Sequence, residues 1–162
     1  MLGEVSQMKI LAIDPSINHI GWAIMEPSGI IRSGTVNAPP MTKASEVVRI
    51  SWMIETLDEA VLQIPYDVIV IERPETWGSF KSQASRGSGD LQLLTLVVGA
   101  LMYWASTIIS VEDVHLIKVT AWKGQLPKRV VQERMEKKYN CKFGSDHESD
   151  AVGIGDYYLS KE

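Results

Sequence analysis

Four side chains in this sequence have the types and settings to do chemistry together: Asp14, Glu72, His147 and Asp150. Asp14 ends the apolar run MKILAIDPS just before Pro15, and Glu72 ends the apolar run DVIVIE just before a proline-containing loop. Acids at the carboxyl ends of buried strands lie where an α/β sheet concentrates its chemistry, although a single such acid is commonly a turn or cap residue. The other two belong to GSDHESDAVGIGDYY, residues 144 to 158, which opens with Asp146, His147, Glu148 and Asp150 ahead of small apolar residues. Ser145 with Glu148 three residues later is a capping box, in which Glu148 reaches back to the backbone. Asp146 suits the positive first turn of the same helix. His147 and Asp150 have no such explanation; three residues apart, they lie about 60° apart around a helix and share a face.

If these four converge, they form a site rich in hard oxygen ligands that repels itself unless cations neutralise it, which suggests Mg²⁺ or Mn²⁺. Two such ions, about 4 Å apart, can clamp both the attacking water and the leaving oxygen of a phosphodiester. His147 at a helix amino end should have its neutral form favoured, ready to bind a metal or take a proton from water. One cysteine and three scattered histidines give no zinc spacing.

The elements that must carry these residues follow from periodicity. MKILAIDPS (8 to 16), HIGWAIME (19 to 26) and IIRSGTV (30 to 36) read as three strands with tight connections, an antiparallel meander. A helix begins at Ser45 and is stopped by Pro65; residues 67 to 72 form a strand apolar enough to be buried on both faces. After the loop RPETWGSFKSQASRGSG come a long apolar helix (91 to 109), a last strand (114 to 119), a basic helix (Pro127 to Tyr139) and the closing helix from Asp146. The order β-β-β-α-β-α-β-α-α predicts an α/β fold: a mixed five-stranded sheet, a three-strand antiparallel meander plus two parallel strands, flanked by helices. No repeat or linker interrupts it, so residues 1–162 are expected to form a single domain.

Composition narrows the class. Of 162 residues, 45% are hydrophobic and 22% charged, ordinary for a soluble protein. The lone Cys141 excludes an internal disulfide framework and fits a reducing compartment. The amino end lacks the apolar run of a signal peptide. LQLLTLVVGALMYWASTII (91 to 109) is long enough for a bilayer, but it carries Gln92, Thr95, Ser106 and Thr107 without a flanking cationic cluster, so a buried helix in a cytosolic protein, with no membrane partner, is expected. The net charge of −4 hides an uneven distribution: residues 118 to 142 hold eight Lys and Arg against two Glu, a local balance of +6 that leaves −10 elsewhere. Such a stretch is either a phosphate-binding patch or a solvated helix face.

AIDPSINHIGWAI, VIVIERP and HESDAVGIG, in that order and at those separations, resemble the RuvC-like Holliday junction resolvases of the ribonuclease H-like superfamily, and TAWKGQLPK (120 to 128) is similar to phage-encoded members. The likeness covers the chain from about Lys9 to Leu159. Asp-Pro-Ser followed by Gly-Trp-Ala is shared with actin-like ATPases and sugar kinases; those need two such domains and a glycine-rich phosphate loop, so no nucleotide cofactor is expected here. The resemblance implies a metal-dependent endonuclease, a homodimer, that cuts opposed strands of a four-way DNA junction in the cytoplasm of a bacterial host; the alternative is a broader nuclease of forks and three-way junctions on the same fold. By position, Asp14 corresponds to the first-strand aspartate that would bridge both metals, Glu72 to the glutamate of the central strand and Asp150 to the last metal-binding aspartate. The residue three before it, aspartate or histidine in the family, is His147.

One departure concerns the aromatic residue that some cellular members place at the junction centre shortly after the glutamate. Glu75 stands at the nearest spacing, so Trp77, or Phe80, is the expected stacking residue. Phosphate contacts should dominate affinity; Lys123, Lys128 and Arg129 around the start of the basic helix, with Arg73, Lys81 and Arg86 in the loop after Glu72, are the expected DNA-binding cations. The apolar 91 to 109 helix needs cover on the side away from the sheet, from a second subunit or from neighbouring helices.

Overall fold

A computed structural model describes residues 7–40, 45–75 and 89–162. β1 (Ile10–Pro15), β2 (His19–Glu26) and β3 (Gly29–Asn37) form the expected meander, each pair antiparallel. β4 (Val68–Arg73) adds parallel to β1, and β5 (Val114–Lys118) adds parallel to β4, so the sheet order is β3-β2-β1-β4-β5. The chain must cross the sheet to travel from β3 to β4, and α1 (Glu46–Val61) makes that crossing; α2 (Asp90–Ile108) connects β4 to β5.

Strand period two sorts the core into two halves. Leu11, Ile13, Ile69 and Ile71 meet Met53, Leu57 and Val61 of α1 and Val97, Val98, Leu101 and Ala105 of α2. Ile10, Ala12, Val68 and Val70 face the other way, against Ala151, Val152 and Ile154 of the closing helix Asp146–Leu159. Because both faces are covered, β1 and β4 read as unbroken apolar runs rather than as alternating ones. The basic helix Lys128–Tyr139 lies behind the closing helix and sends Val131, Met135 and Tyr139 inward.

One expectation is corrected. The strand expected to run to Val119 ends at Lys118, and Val119–Trp122 is a four-residue helix, too short to leave a periodic signal. In chain order it is α3, the basic helix α4 and the closing helix α5. Thr120 donates from its backbone N–H and its hydroxyl to the Glu75 carboxylate, which fixes the start of α3. The outer face of α2 is left uncovered by the described residues of this chain. The helix is long and apolar enough to cross a bilayer by length and composition, but its Val97, Val98, Leu101 and Ala105 stripe packs on the sheet while Leu96, Met102, Tyr103 and Ile108 are exposed.

One close approach governs how α5 sits. A Cβ on Gly21 would stand 1.9 Å from the carbonyl oxygen of His147, and Gly21 lies opposite Asp14 in the β1–β2 register. The first turn of α5 therefore rests directly on the β2 backbone. Gly21→Ala forces that turn away from the sheet, and a loss of about 3 kcal/mol in urea unfolding is expected; stability equal to wild type would show that α5 moves freely.

Candidate active site

The strand register brings the first two acids together. Ile10 and Ala12 point toward α5, so Asp14 does as well; Val68 and Val70 point the same way, so Glu72 does. Ile10 pairs with Val68 and Ala12 with Val70, and continuing this register sets Asp14 beside Glu72 on strands about 4.8 Å apart. Arg73, one residue on, takes the opposite face and is exposed.

The start of α5 supplies the rest. Ser145 caps it by accepting from the Glu148 N–H at 3.0 Å. Glu148 reaches back as expected, but to the N–H of Gly144 at 2.7 Å, one residue earlier than in a standard capping box. Its second oxygen accepts from the Ser33 hydroxyl at 2.7 Å, and the Thr35 and Ser145 hydroxyls are 2.6 Å apart, so β3 also holds this helix start. His147 then places Nδ1 2.9 Å from Asp14 Oδ2. Asp150, nearly one turn on, is buried. Asp146 turns outward and binds Lys128 at 2.8 Å, in keeping with a first-turn role.

Burial and crowding control the charges. Burial and then the neighbouring Asp14 push Glu72 up to about 8, against the pull of the Trp122 N–H and Lys123; Asp150 adds to the upward push. Asp150 is raised as well, by burial and then by Asp14, while Lys123 opposes. His147 is raised by its hydrogen bond to Asp14, with burial pulling the other way. The hydrogen bond to Asp14 thus pulls His147 toward its charged form, opposite in direction to the pull expected of a helix amino end.

Each of the three acids has one oxygen engaged: Asp14 Oδ2 on His147, Glu72 Oε2 on the Trp122 indole N–H at 2.8 Å and Asp150 Oδ2 on the Lys123 ammonium at 3.0 Å. The second oxygens have no hydrogen-bond partner among the described residues, and that of Asp150, Oδ1, is fully buried. A buried, unpartnered carboxylate oxygen inside a cluster of like charge fits a hard divalent cation. Asp14, Glu72 and Asp150 would supply oxygens and His147 its Nε2. Among the described residues no three of these side chains already converge on one point as a preformed metal site; Trp122, Lys123 and His147 hold the acids in a metal-free arrangement.

The expected DNA-binding residues separate. Lys123 stands inside the cluster, its ammonium on Asp150. Lys128 borders it through Asp146, and Arg129 is exposed, with only a loose approach to Glu133 at 3.6 Å. Lys138 and Lys142 pair with Asp156 and Glu136, which leaves Lys118, Arg134 and Lys137 without an acid partner among the described residues. Trp77, Phe80, Lys81 and Arg86 lie outside the described residues.

Three contributors escaped the sequence reading. His19 stacks on His147 with ring centroids 5.1 Å apart, and its own Nδ1 is held 2.8 Å from Asn37 Oδ1. Glu75 anchors α3, and Trp122 grips Glu72. TAWKG had marked the segment of Trp122 without assigning it a task; nothing in the sequence pointed to His19 or to this use of Glu75.

Glu72 titrates in the folded protein well above an unfolded glutamate, so the folded state holds a proton that the unfolded state has lost. Stability should therefore fall as pH rises from about 4.5 to about 8. Urea unfolding in EDTA should show this slope, and Glu72→Gln should flatten it; an identical slope in the variant would place the titration elsewhere.

No family model matches the sequence, and no curated protein matches it. Solved structures do. RuvC of Thermus thermophilus in complex with a Holliday junction substrate aligns with a TM-score of 0.66 at 16% identity, over 95% of this chain and 96% of that one. A second structure of Thermus thermophilus RuvC gives 0.65 at the same identity. Ydc2, the yeast mitochondrial Holliday junction resolvase, aligns with a TM-score of 0.56 at 14% identity, over 94% of this chain and 78% of Ydc2. The chain has the RuvC-like, ribonuclease H-like fold.

Proposed function

We propose that this protein is a metal-dependent endonuclease that resolves four-way DNA junctions by paired, symmetric nicks. The observation that carries the reading is the gathering of Asp14, Glu72, His147 and Asp150 where two strand ends meet the first turn of α5, each acid with one oxygen that has no hydrogen-bond partner among the described residues. The donor set favours two Mg²⁺ or Mn²⁺ ions, held by Asp14, Glu72 and Asp150. Bound there, such ions would activate water and stabilise the leaving oxygen of a phosphodiester. The protein's own residues do the rest. Asp14 fixes the His147 ring through Nδ1, so that Nε2 is the nitrogen left to meet a cation or take a proton from the attacking water. Burial keeps bulk water off Asp150, and Trp122 holds Glu72 in place. Lys128 at the rim, Arg129, and Lys118, Arg134 and Lys137, which have no acid partner among the described residues, would meet phosphates.

Two opposed strands require two sites related by a two-fold axis. The exposed Leu96, Met102, Tyr103 and Ile108 on α2 form the apolar face that a second copy would cover. The cell setting proposed is the cytoplasm of a bacterial host.

Cleavage of labelled four-way junction, three-way junction, fork and linear duplex, with Mg²⁺, Mn²⁺ or EDTA, tests the reading. Paired nicks confined to the four-way junction are expected, while cutting of forks and three-way junctions as well would favour the broader branched-DNA nuclease. Asp14→Asn, Glu72→Gln and Asp150→Asn should each lower cleavage at least 100-fold and leave junction binding within a few-fold. Loss of binding in step with cleavage in all three would argue against a catalytic role. For the dimer, sedimentation should find two copies in wild type and one in a Leu96→Glu, Tyr103→Glu double variant; a wild-type monomer on and off DNA would remove the two-fold model.

A further inference from the structure

Trp122 spans two parts of the site. Its indole N–H donates to Glu72 Oε2 at 2.8 Å, and its ring packs so tightly on α5 that a Cβ on Gly153 would stand 2.6 Å from the ring carbon Cζ3. The ring cannot rotate without displacing α5, and it rides on α3, whose start is held by Glu75 through Thr120. The donor is therefore fixed from two sides, unlike the Lys123 ammonium beside it, which swings on a flexible stem.

We propose that Trp122 is a positioning residue that sets which divalent cation the site accepts. A hydrogen bond on Oε2 takes one of its lone pairs and fixes the rotation of the carboxylate, which favours Oε1 as the donor and makes Glu72 a one-oxygen ligand. Small ions that demand near-octahedral geometry, Mg²⁺ and Mn²⁺, suit single-oxygen carboxylates, whereas the larger Ca²⁺ readily takes both oxygens of one carboxylate. The indole N–H discriminates against Ca²⁺ by making the second oxygen the poorer donor. This inference rests on the metal site of the proposed function.

Trp122→Phe keeps an aromatic ring against Gly153 and removes the N–H. Glu75→Ala, outside the cluster, frees the start of α3 and serves as the second variant should Trp122→Phe fail to fold. Mn²⁺ affinity is read by electron paramagnetic resonance of free Mn²⁺, and Ca²⁺ affinity by competition with Mn²⁺. Both are measured without DNA, with thermal midpoints in EDTA as the folding control. In Trp122→Phe, Mn²⁺ affinity should fall about tenfold, Ca²⁺ affinity should fall less or rise, and the Ca²⁺/Mn²⁺ affinity ratio should increase at least threefold. Glu75→Ala should move the ratio in the same direction by a smaller factor. Equal weakening of both ions is what general loosening would give, and it would overturn the proposal, as would unchanged affinities. Wild-type protein that binds no Mn²⁺ in a manner abolished by Asp14→Asn would overturn the proposal by removing the metal site itself. Wild-type binding with an unmoved ratio would sink the role of Trp122 and leave that site standing.

Discussion

Two carboxylates stand side by side because β1 and β4 run parallel in a fixed register. At that spacing, and with the effective dielectric of a protein interior, two negative charges repel by about 3 kcal/mol. Asp150 brings a third carboxylate to the same place. Much of the local structure answers that repulsion. His147 meets Asp14, Trp122 meets Glu72 and Lys123 meets Asp150, each on a single oxygen. Glu72 is held high on the pH scale because the answer is incomplete. A carboxylate folded into such surroundings costs stability rather than adding to it.

The architecture that carries this cluster was legible in the sequence to a large extent, because its signals are long and repetitive. Unbroken apolar runs ending in Asp14 and Glu72 marked strands covered on both faces, and the Ser145–Glu148 cap marked the start of α5 within a residue. What was not legible depends on contacts between segments remote in sequence. Trp122 reaches a residue 50 positions away and His147 one 133 positions away; no local pattern encodes such pairs. The pull of Asp14 on His147 was missed for the same reason, since the helix end is a local feature and Asp14 is not. The outer face of α2 was left open between a second subunit and neighbouring helices, because an apolar composition reports that a helix wants burial, not whether its own chain supplies it.

The basic segment shows a similar limit. Counting gave +6 over residues 118 to 142, with Glu133 and Glu136 already subtracted, but the folded chain also sets Lys123 on Asp150 in the carboxylate cluster, Lys128 on Asp146 at its border and Lys138 on Asp156. The field outside the protein is therefore weaker than the count, and it is concentrated on a few side chains. Charge that looks like a solvated surface in sequence is partly internal neutralisation in the fold.

α5 is the last element of the sheet assembly to leave a ribosome, yet it covers one whole face of the sheet and carries two of the four residues at the site. Until it docks, Ile10, Ala12, Val68 and Val70 have no partner on that side, and Asp14 and Glu72 face water alone. The acids and the core face they interrupt are completed by the same event, so a nascent or truncated chain that lacks this helix exposes an apolar sheet face together with its acids. Synthesis itself thus delays the assembly of the acidic site until the protein around it has closed.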